Sequence, residues 1–359
     1  MGNNMMAYSA IATKIRGMSA KLLKEADYRT IASMKTVTEV ISWLSDNTVY
    51  GKYLEQFDDA FYHRGNIEKI LATSLYDDYT RLYRFANQKQ KDFMKLFMKR
   101  YEVELINHCL RIVFNHYDMT FDLDYKKPFF DKYSKIRIEK LVTSQNIDDL
   151  IGNLQDTEYY FPLKKVKDSG AAELLDYDLA LNLYYFSAMW KRGKKLLDKK
   201  EQELYLKNLG NQIDLMNLQW IYRSKKYYHL PEKDIYPMLI PIQYKLSVGQ
   251  TKALCEGAGV EEFFRILNDE TAYGKKYHFD EEHSIEKMVD VWTAHLYTMA
   301  YRKNPYSIAS IHTYLFRKEK EINTITTAME CIRYGLSEAE ILSYIQRPLW
   351  RDYQGGNEL

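Results

Sequence analysis

Cysteine, proline and glycine are all scarce in this chain, with 3, 7 and 15 copies in 359 residues. Three isolated cysteines (Cys109, Cys255 and Cys331) cannot build a disulfide framework and point to a reducing compartment. So little glycine and proline leaves too few turns for an all-β chain. No run reaches the eighteen or so apolar residues that a membrane-crossing helix needs, so no membrane span is expected. The opening MGNNMMAYSAIATKIRG lacks the basic leader and apolar core of a signal peptide. Charge of one sign is also missing: 51 Lys and Arg face 49 Asp and Glu. A net charge of +2 creates no strong field toward nucleic acid or anionic lipid.

Recognisable catalytic chemistry is absent too. There is no Cys-x-x-Cys and no His-Glu-x-x-His, so no metal site is expected. His278 and His283 bracket FDEE, but histidines five apart do not share a helical face, and a solvated loop is the simpler reading. Gly257-Ala258-Gly259 has no following Gly-Lys-Ser/Thr and no preceding strand pattern, so it reads as a helix start. No serine sits in a Gly-x-Ser-x-Gly elbow. The basic run KRGKKLLDKK from Lys191 is followed by Glu201 and Glu203 and reads as a solvated helix face. Catalytic, cofactor-binding and metal-binding residues are therefore expected to be none.

What the chain does have is helical period. Phe93, Phe97, Tyr101, Leu105 and Cys109 recur at steps of four. Leu179, Leu183, Phe186 and Trp190 form a second stripe, and Ile213, Met216 and Trp220 a third. Ile308, Ile311 and Leu315 lead into Ile322, Ile325, Met329 and Ile332. Such apolar stripes on charged helices predict an all-α protein. Asn304-Pro305 reads as the start of the last long helix and Gly335 as its stop. Leu336-Ser337-Glu338-Ala339-Glu340-Ile341 reads as a capping box opening another helix. The 32 tyrosines suit both cores and wet interfaces, since the ring buries while the hydroxyl stays polar.

A fifteen-residue pattern then appears three times: TVTEVISWLSDNTVY from Thr36, NIDDLIGNLQDTEYY from Asn146 and GVEEFFRILNDETAY from Gly259. A cap-capable residue opens each copy, and Glu39, Asp149 or Glu262 follows three positions later. Val40-Ile41, Leu150-Ile151 and Phe263-Phe264 come next, then Leu44, Leu154 and Leu267. Asp46, Asp156 and Asp269 precede Tyr50, Tyr160 and Tyr273. The chain exceeds what one core usually supports, and internal repetition must be read before any single motif. Helical patterns lapse at 116–130 and 229–241, which divides the chain into blocks 1–118, 119–230 and 231–359. Each block finishes with two long helices. A looser second repeat, an acid followed by an aliphatic, places Glu104, Asp214 and Glu321 at matching points of those helices. They are candidates for a shared inward-facing interface role, whereas Arg16 and the three tyrosines are expected to fix helix-to-loop corners.

The opening YSAIATKIRGMSAKLL, the segment NPYSIASIHTYLFRKEKEINTITTAMECIRYGLS and the threefold helical layout resemble the C subunit of prokaryotic V-type (archaeal-type) rotary ATPases. The eukaryotic counterpart of that family is the d subunit of the vacuolar pump. The resemblance covers essentially the whole chain and implies an all-α funnel of three similar domains around a pseudo-threefold axis. It implies a non-catalytic, peripheral subunit on the cytoplasmic face of the membrane. Its partners would be the membrane proteolipid ring and the central rotor shaft of D and F subunits, and its role would be to pass torque. Glu104, Asp214 and Glu321 would then face a basic feature of the shaft. Two readings from other classes stay open: a soluble all-helical adaptor unrelated to rotary pumps, and an enzyme with its site buried between helical domains.

Overall fold

A computed structural model describes residues 2–54, 64–115, 121–170, 173–275, 277–280 and 285–345. It is all-helical, with no strand among the described residues. The first block runs through α1 (Gly2–Ser19), α2 (Glu25–Ala32), α3 (Val37–Asn47), the single turn α4 (Gly51–Leu54), α5 (Arg64–Phe85) and α6 (Gln88–Phe114). The second repeats that order with α7 (Lys127–Tyr133), α8 (Ile138–Leu141), α9 (Ile147–Asn153), α10 (Tyr160–Asp168), α11 (Leu174–Leu196) and α12 (Lys199–Lys226). The third has α13 (Glu232–Ile235), α14 (Val248–Glu256), α15 (Gly259–Glu270), α16 (Ile285–Lys303), α17 (Ile308–Arg333) and α18 (Glu338–Ile345).

The triplicated pattern forms α3, α9 and α15. Thr36 accepts from the Glu39 N–H at 3.2 Å while the Glu39 carboxylate takes the Lys35 N–H at 2.8 Å, which satisfies donors a helix start leaves orphaned. Asn146 and Asp149 do the same at 2.9 and 3.1 Å. The third copy departs from this scheme. Ala258 occupies the cap position without a side-chain bond, and Gly259 takes a left-handed φ of 73°. That backbone conformation needs glycine's missing Cβ and not a capping side chain. Glu262 instead clasps Arg265, at 2.7 and 2.8 Å.

Two compact units emerge. One holds Met1–Lys91 with Tyr297–Pro348, so it joins the two ends of the sequence; the other centres on Asp92–Leu296. In the first, α5 and α17 pack along each other, with α1 against both. Ile11, Ile15, Leu71, Tyr79, Leu82, Ile311, Leu315 and Ile325 fill that core. In the second, α11 packs on α12 and α12 on α15, around Leu218, Ile221, Phe263, Leu267 and Trp292. The stripe expected on α6 is buried as read, and so is the one on α17. On α11 the buried face is rotated to Tyr177, Leu181, Phe186 and Met189, leaving Leu179 and Leu183 half-covered. Helix α17 also starts later than Asn304-Pro305 suggests. Ser307 caps it by accepting the Ala309 N–H at 3.2 Å, and Pro305 lies outside. The stop at Gly335 is as read, with φ 72°.

His278 is exposed, while His283 lies outside the described residues. Among the described residues no group of three or more His, Cys, Asp or Glu side chains could hold a metal ion. No described helix is long and apolar enough to cross a membrane.

Candidate functional site: three tyrosine–acid clamps

The motif helices end in a common corner. Thr48 donates its hydroxyl to the Leu44 carbonyl at 2.5 Å and accepts the Tyr50 N–H at 3.1 Å. Thr157 does so with Leu154 (2.7 Å) and Tyr159 (3.3 Å). Thr271 does so with Leu267 (2.6 Å) and Tyr273 (3.2 Å). One threonine oxygen thus satisfies a terminal carbonyl and redirects the chain, which aims the tyrosine two residues on into the core. Tyr50 and Tyr273 hold the corner positions read from sequence. In the second block the corner residue is Tyr159 and not Tyr160, because α9 ends early and the chain turns one residue sooner.

Each buried tyrosine meets a carboxylate on the last long helix of the preceding block. Tyr159 donates to Glu102 on α6 at 2.6 Å, and Tyr273 to Asp214 on α12 at 2.9 Å. Tyr50, in the first block, donates to Glu321 on α17 of the third at 2.6 Å. The same acids hold the loop that leads into the next short helix. Glu321 accepts the Leu23 N–H at 2.5 Å. Asp214 accepts the N–H groups of Lys245 and Leu246 at 2.7 and 3.2 Å. Glu102 accepts from the Ser134 hydroxyl, whose oxygen takes the Ile136 N–H at 3.0 Å. One acid therefore ties three things together: its own helix, the next loop and the next corner.

The residue three positions before each acid tunes the clamp. Lys318 donates to both Tyr50 (2.7 Å) and Glu321 (3.2 Å) while only 1% exposed. Lys99 pairs with Glu158 beside the Tyr159 ring. Asn211 accepts from Tyr273 at 3.2 Å and brings no charge. Burial sets the titration. It pushes all three phenols far above their usual range, and the adjoining carboxylate adds to this. Burial lowers Lys318, against the pull of Glu321. Burial raises Asp214 above the usual carboxylate range, although the Lys245 N–H and Tyr273 oppose it.

Of the acids expected to share a role, Asp214 and Glu321 are buried and belong to clamps. Glu104 is exposed and pairs with Arg100 at 3.1 Å. The structural counterpart of Asp214 and Glu321 in the first block is Glu102, two residues earlier. The sequence signals for it are Lys99-x-x-Glu102 against Lys318-x-x-Glu321, and the Thr-x-Tyr corner in each block. Arg16 lies at the surface, with its guanidinium donating to the Tyr306 hydroxyl at 3.2 Å. The two segments that carried the family resemblance therefore meet.

The family described as "ATP synthase (C/AC39) subunit" matches residues 11–344. The chain belongs to this family. The C/AC39 relatives include the C subunit of the A-type ATP synthase of Methanocaldococcus jannaschii, 22% identical over 95% of this chain and 87% of that protein. The corresponding protein of Thermococcus kodakarensis is 22% identical over 94% of this chain and 90% of its own length. That of Archaeoglobus fulgidus is 22% identical over 94% and 96%. Membership of the C/AC39 family thus spans nearly the whole chain and takes in all three clamps.

Proposed function

We propose that the chain is a non-catalytic central-stalk subunit of a rotary V-type or A-type ATPase. It serves as a socket that links the rotor shaft of D and F subunits to the membrane proteolipid ring and passes torque between them. It works at the cytoplasmic face as a peripheral subunit, without a cofactor. Blocks 1–118, 119–230 and 231–359 act as three like domains set around a pseudo-threefold axis to form a funnel.

The observation that carries this reading is the order of the clamps. Block one holds block two, block two holds block three, and block three holds block one. A row of repeats would leave its first corner without a partner, whereas a closed set of three gives every corner one. Torque transfer wants a stiff body, and closely packed helical interiors transmit strain. A partner surface shared over three domains multiplies modest contacts into one firm attachment. In this scheme Glu104 meets the shaft directly, while Asp214 and Glu321 hold the corners that shape the socket.

The test is co-purification. The full-length tagged chain should retain both shaft subunits and the proteolipid ring from solubilised membranes, and should show no ATP turnover alone. Capture of neither partner by folded protein would refute the socket role.

A further inference from the structure

A concavity of about 390 Å³ opens in the unit that joins the chain ends. It lies between α1, α5, the Thr48–Tyr53 corner and the first turns of α17. Five cationic side chains from these elements line it: Lys14, Lys21, Lys52, Arg81 and Lys318. Three of them answer carboxylates. Lys52 faces Asp77 at 3.4 Å, Arg81 faces Asp78 at 3.4 Å and Lys318 faces Glu321 at 3.2 Å. Lys14 and Lys21 answer none among the described residues. Lys14 lies over the exposed Phe85 ring, 5.2 Å from its centre, and Lys21 is at the surface.

The backbone is shaped to match. Lys14 sits on α1 and Lys21 in the turn that follows Ser19, and both line the same hollow. Gly17 sits between them, and a Cβ there would meet nothing within 4 Å. The wall next to the two surplus charges is therefore open space. A volume of this size falls within the usual range for small-ligand clefts, about 300–1,000 Å³. Unanswered ammonium groups around such a hollow favour a compact anion, and a phosphate group offers several acceptor oxygens to lysine and arginine at once.

We propose that this pocket binds a phosphate-bearing small molecule, with Lys14, Lys21 and Arg81 on the phosphate and the Phe85 ring at the rim. Lys318 at its floor is the residue it shares with a clamp, and the site does not depend on the socket reading. Two sources share the chemistry, a soluble phosphate ester and a phospholipid headgroup.

Isothermal titration of the full-length chain with inorganic pyrophosphate at low salt is the first arm. Saturable one-to-one binding is expected, and the K14Q/K21Q double variant should weaken it roughly tenfold or more, as loss of two charge-assisted contacts implies. A K35Q/K200Q variant, which removes two exposed lysines elsewhere, should bind as the parent does. The second arm is sedimentation with phosphatidic acid vesicles against neutral phosphatidylcholine vesicles. Loss in K14Q/K21Q confined to pyrophosphate assigns a soluble ester, and loss confined to the acidic vesicles assigns a headgroup. Should K14Q/K21Q fold poorly by circular dichroism, K14R/K21R keeps the test alive, because it must retain binding. No saturable binding in either arm, or equal weakening in K35Q/K200Q, overturns the proposal.

Discussion

Tyr50 and Glu321 are 271 residues apart in the chain and 2.6 Å apart in the fold. Their bond, with Lys318 on the same phenol, is buried and fastens the end of the sequence to its beginning. A buried ion pair adds little net stability over an apolar substitute, yet breaking one half strands the other half without water. Glu321→Ala should therefore cost about 3–5 kcal/mol, since it leaves the Lys318 ammonium uncompensated. Tyr50→Phe removes two hydrogen bonds to charged groups, one to Glu321 and one from Lys318, and should cost roughly 1.5–3 kcal/mol or more. Urea midpoints with an unchanged slope would check both. Equal, small losses would show that the clamp is not a coupled unit.

The second clamp separates neighbouring tyrosines. Tyr159 is 1% exposed and bonded to Glu102, whereas Tyr160 is half-buried at the start of α10. Tyr159→Phe should destabilise by about 1.5–3 kcal/mol through loss of a charge-assisted bond. Tyr160→Phe should stay within about 0.5 kcal/mol, as substitutions away from such features do. Thermal melts of the two variants side by side decide it, and a larger effect at Tyr160 would contradict the corner geometry.

These two tyrosines also show how far the sequence could be read. The long helices were legible from apolar residues at helical period, although on α11 and α12 the read stripe is only partly buried, with Leu179, Leu183, Met216 and Trp220 half-covered. Val40, Ile41, Leu44 and their counterparts are all buried as the pattern requires. The corner was legible as a tyrosine following an acid, but its register was not. Helix α9 has seven residues where α3 has eleven and α15 twelve, so an alignment by position lands one residue past Tyr159. Glu102 and Glu104 both precede an aliphatic residue on one amphipathic helix. What separates them is which one faces Tyr159, a long-range contact that no local pattern encodes. The exclusion of a capping role for Gly259 was likewise hidden, since glycine suits both a cap and a left-handed turn.

Asp214 provides a pH test. Tyr273 and backbone N–H groups hold its carboxylate, with no ion pair to it among the described residues, and burial raises its pKa. A carboxyl whose folded pKa exceeds its unfolded value stabilises most when protonated. That contribution is complete below the unfolded value of about 4 and fades as pH climbs through the raised folded value. The stability difference between parent and Asp214→Asn should therefore shift in favour of the parent on going from pH 7 down toward 4. Urea titrations across that range measure it. A difference that is flat, or that moves the other way, would remove the raised carboxyl.

Two glycines should respond in opposite senses. Gly274 follows the third corner, and a Cβ there would approach the Leu267 carbonyl and the Asn268 backbone at 2.2 Å. Backbone cannot step aside, so Gly274→Ala should cost about 1–3 kcal/mol or more by overpacking. Gly152 lies within α9 with nothing within 4 Å of its would-be Cβ. Gly152→Ala should stabilise by roughly 0.5–1 kcal/mol, because alanine loses less backbone freedom in a helix. Differential scanning calorimetry of the pair would show melting points displaced to either side of the parent.

Glu104 offers the cleanest probe of partner binding, since it is exposed and takes no part in a clamp. Glu104→Lys should leave the fold intact, because it pairs with Arg100 on the surface, and such pairs are worth about 0–1 kcal/mol. If the side chain meets a basic feature of the shaft, the reversal should weaken shaft binding several-fold at low salt and hardly at all at high salt, where screening reaches about 3 Å at 1 M. Asp214→Lys and Glu321→Lys should instead fail at the level of folding, since each would bury a charge of the wrong sign. Shaft affinity by surface plasmon resonance, with far-ultraviolet circular dichroism on each variant, separates the two effects. Unchanged low-salt affinity in Glu104→Lys would leave the shaft contact to other residues, with Asp214 and Glu321 holding corners and Glu104 a surface partner of Arg100.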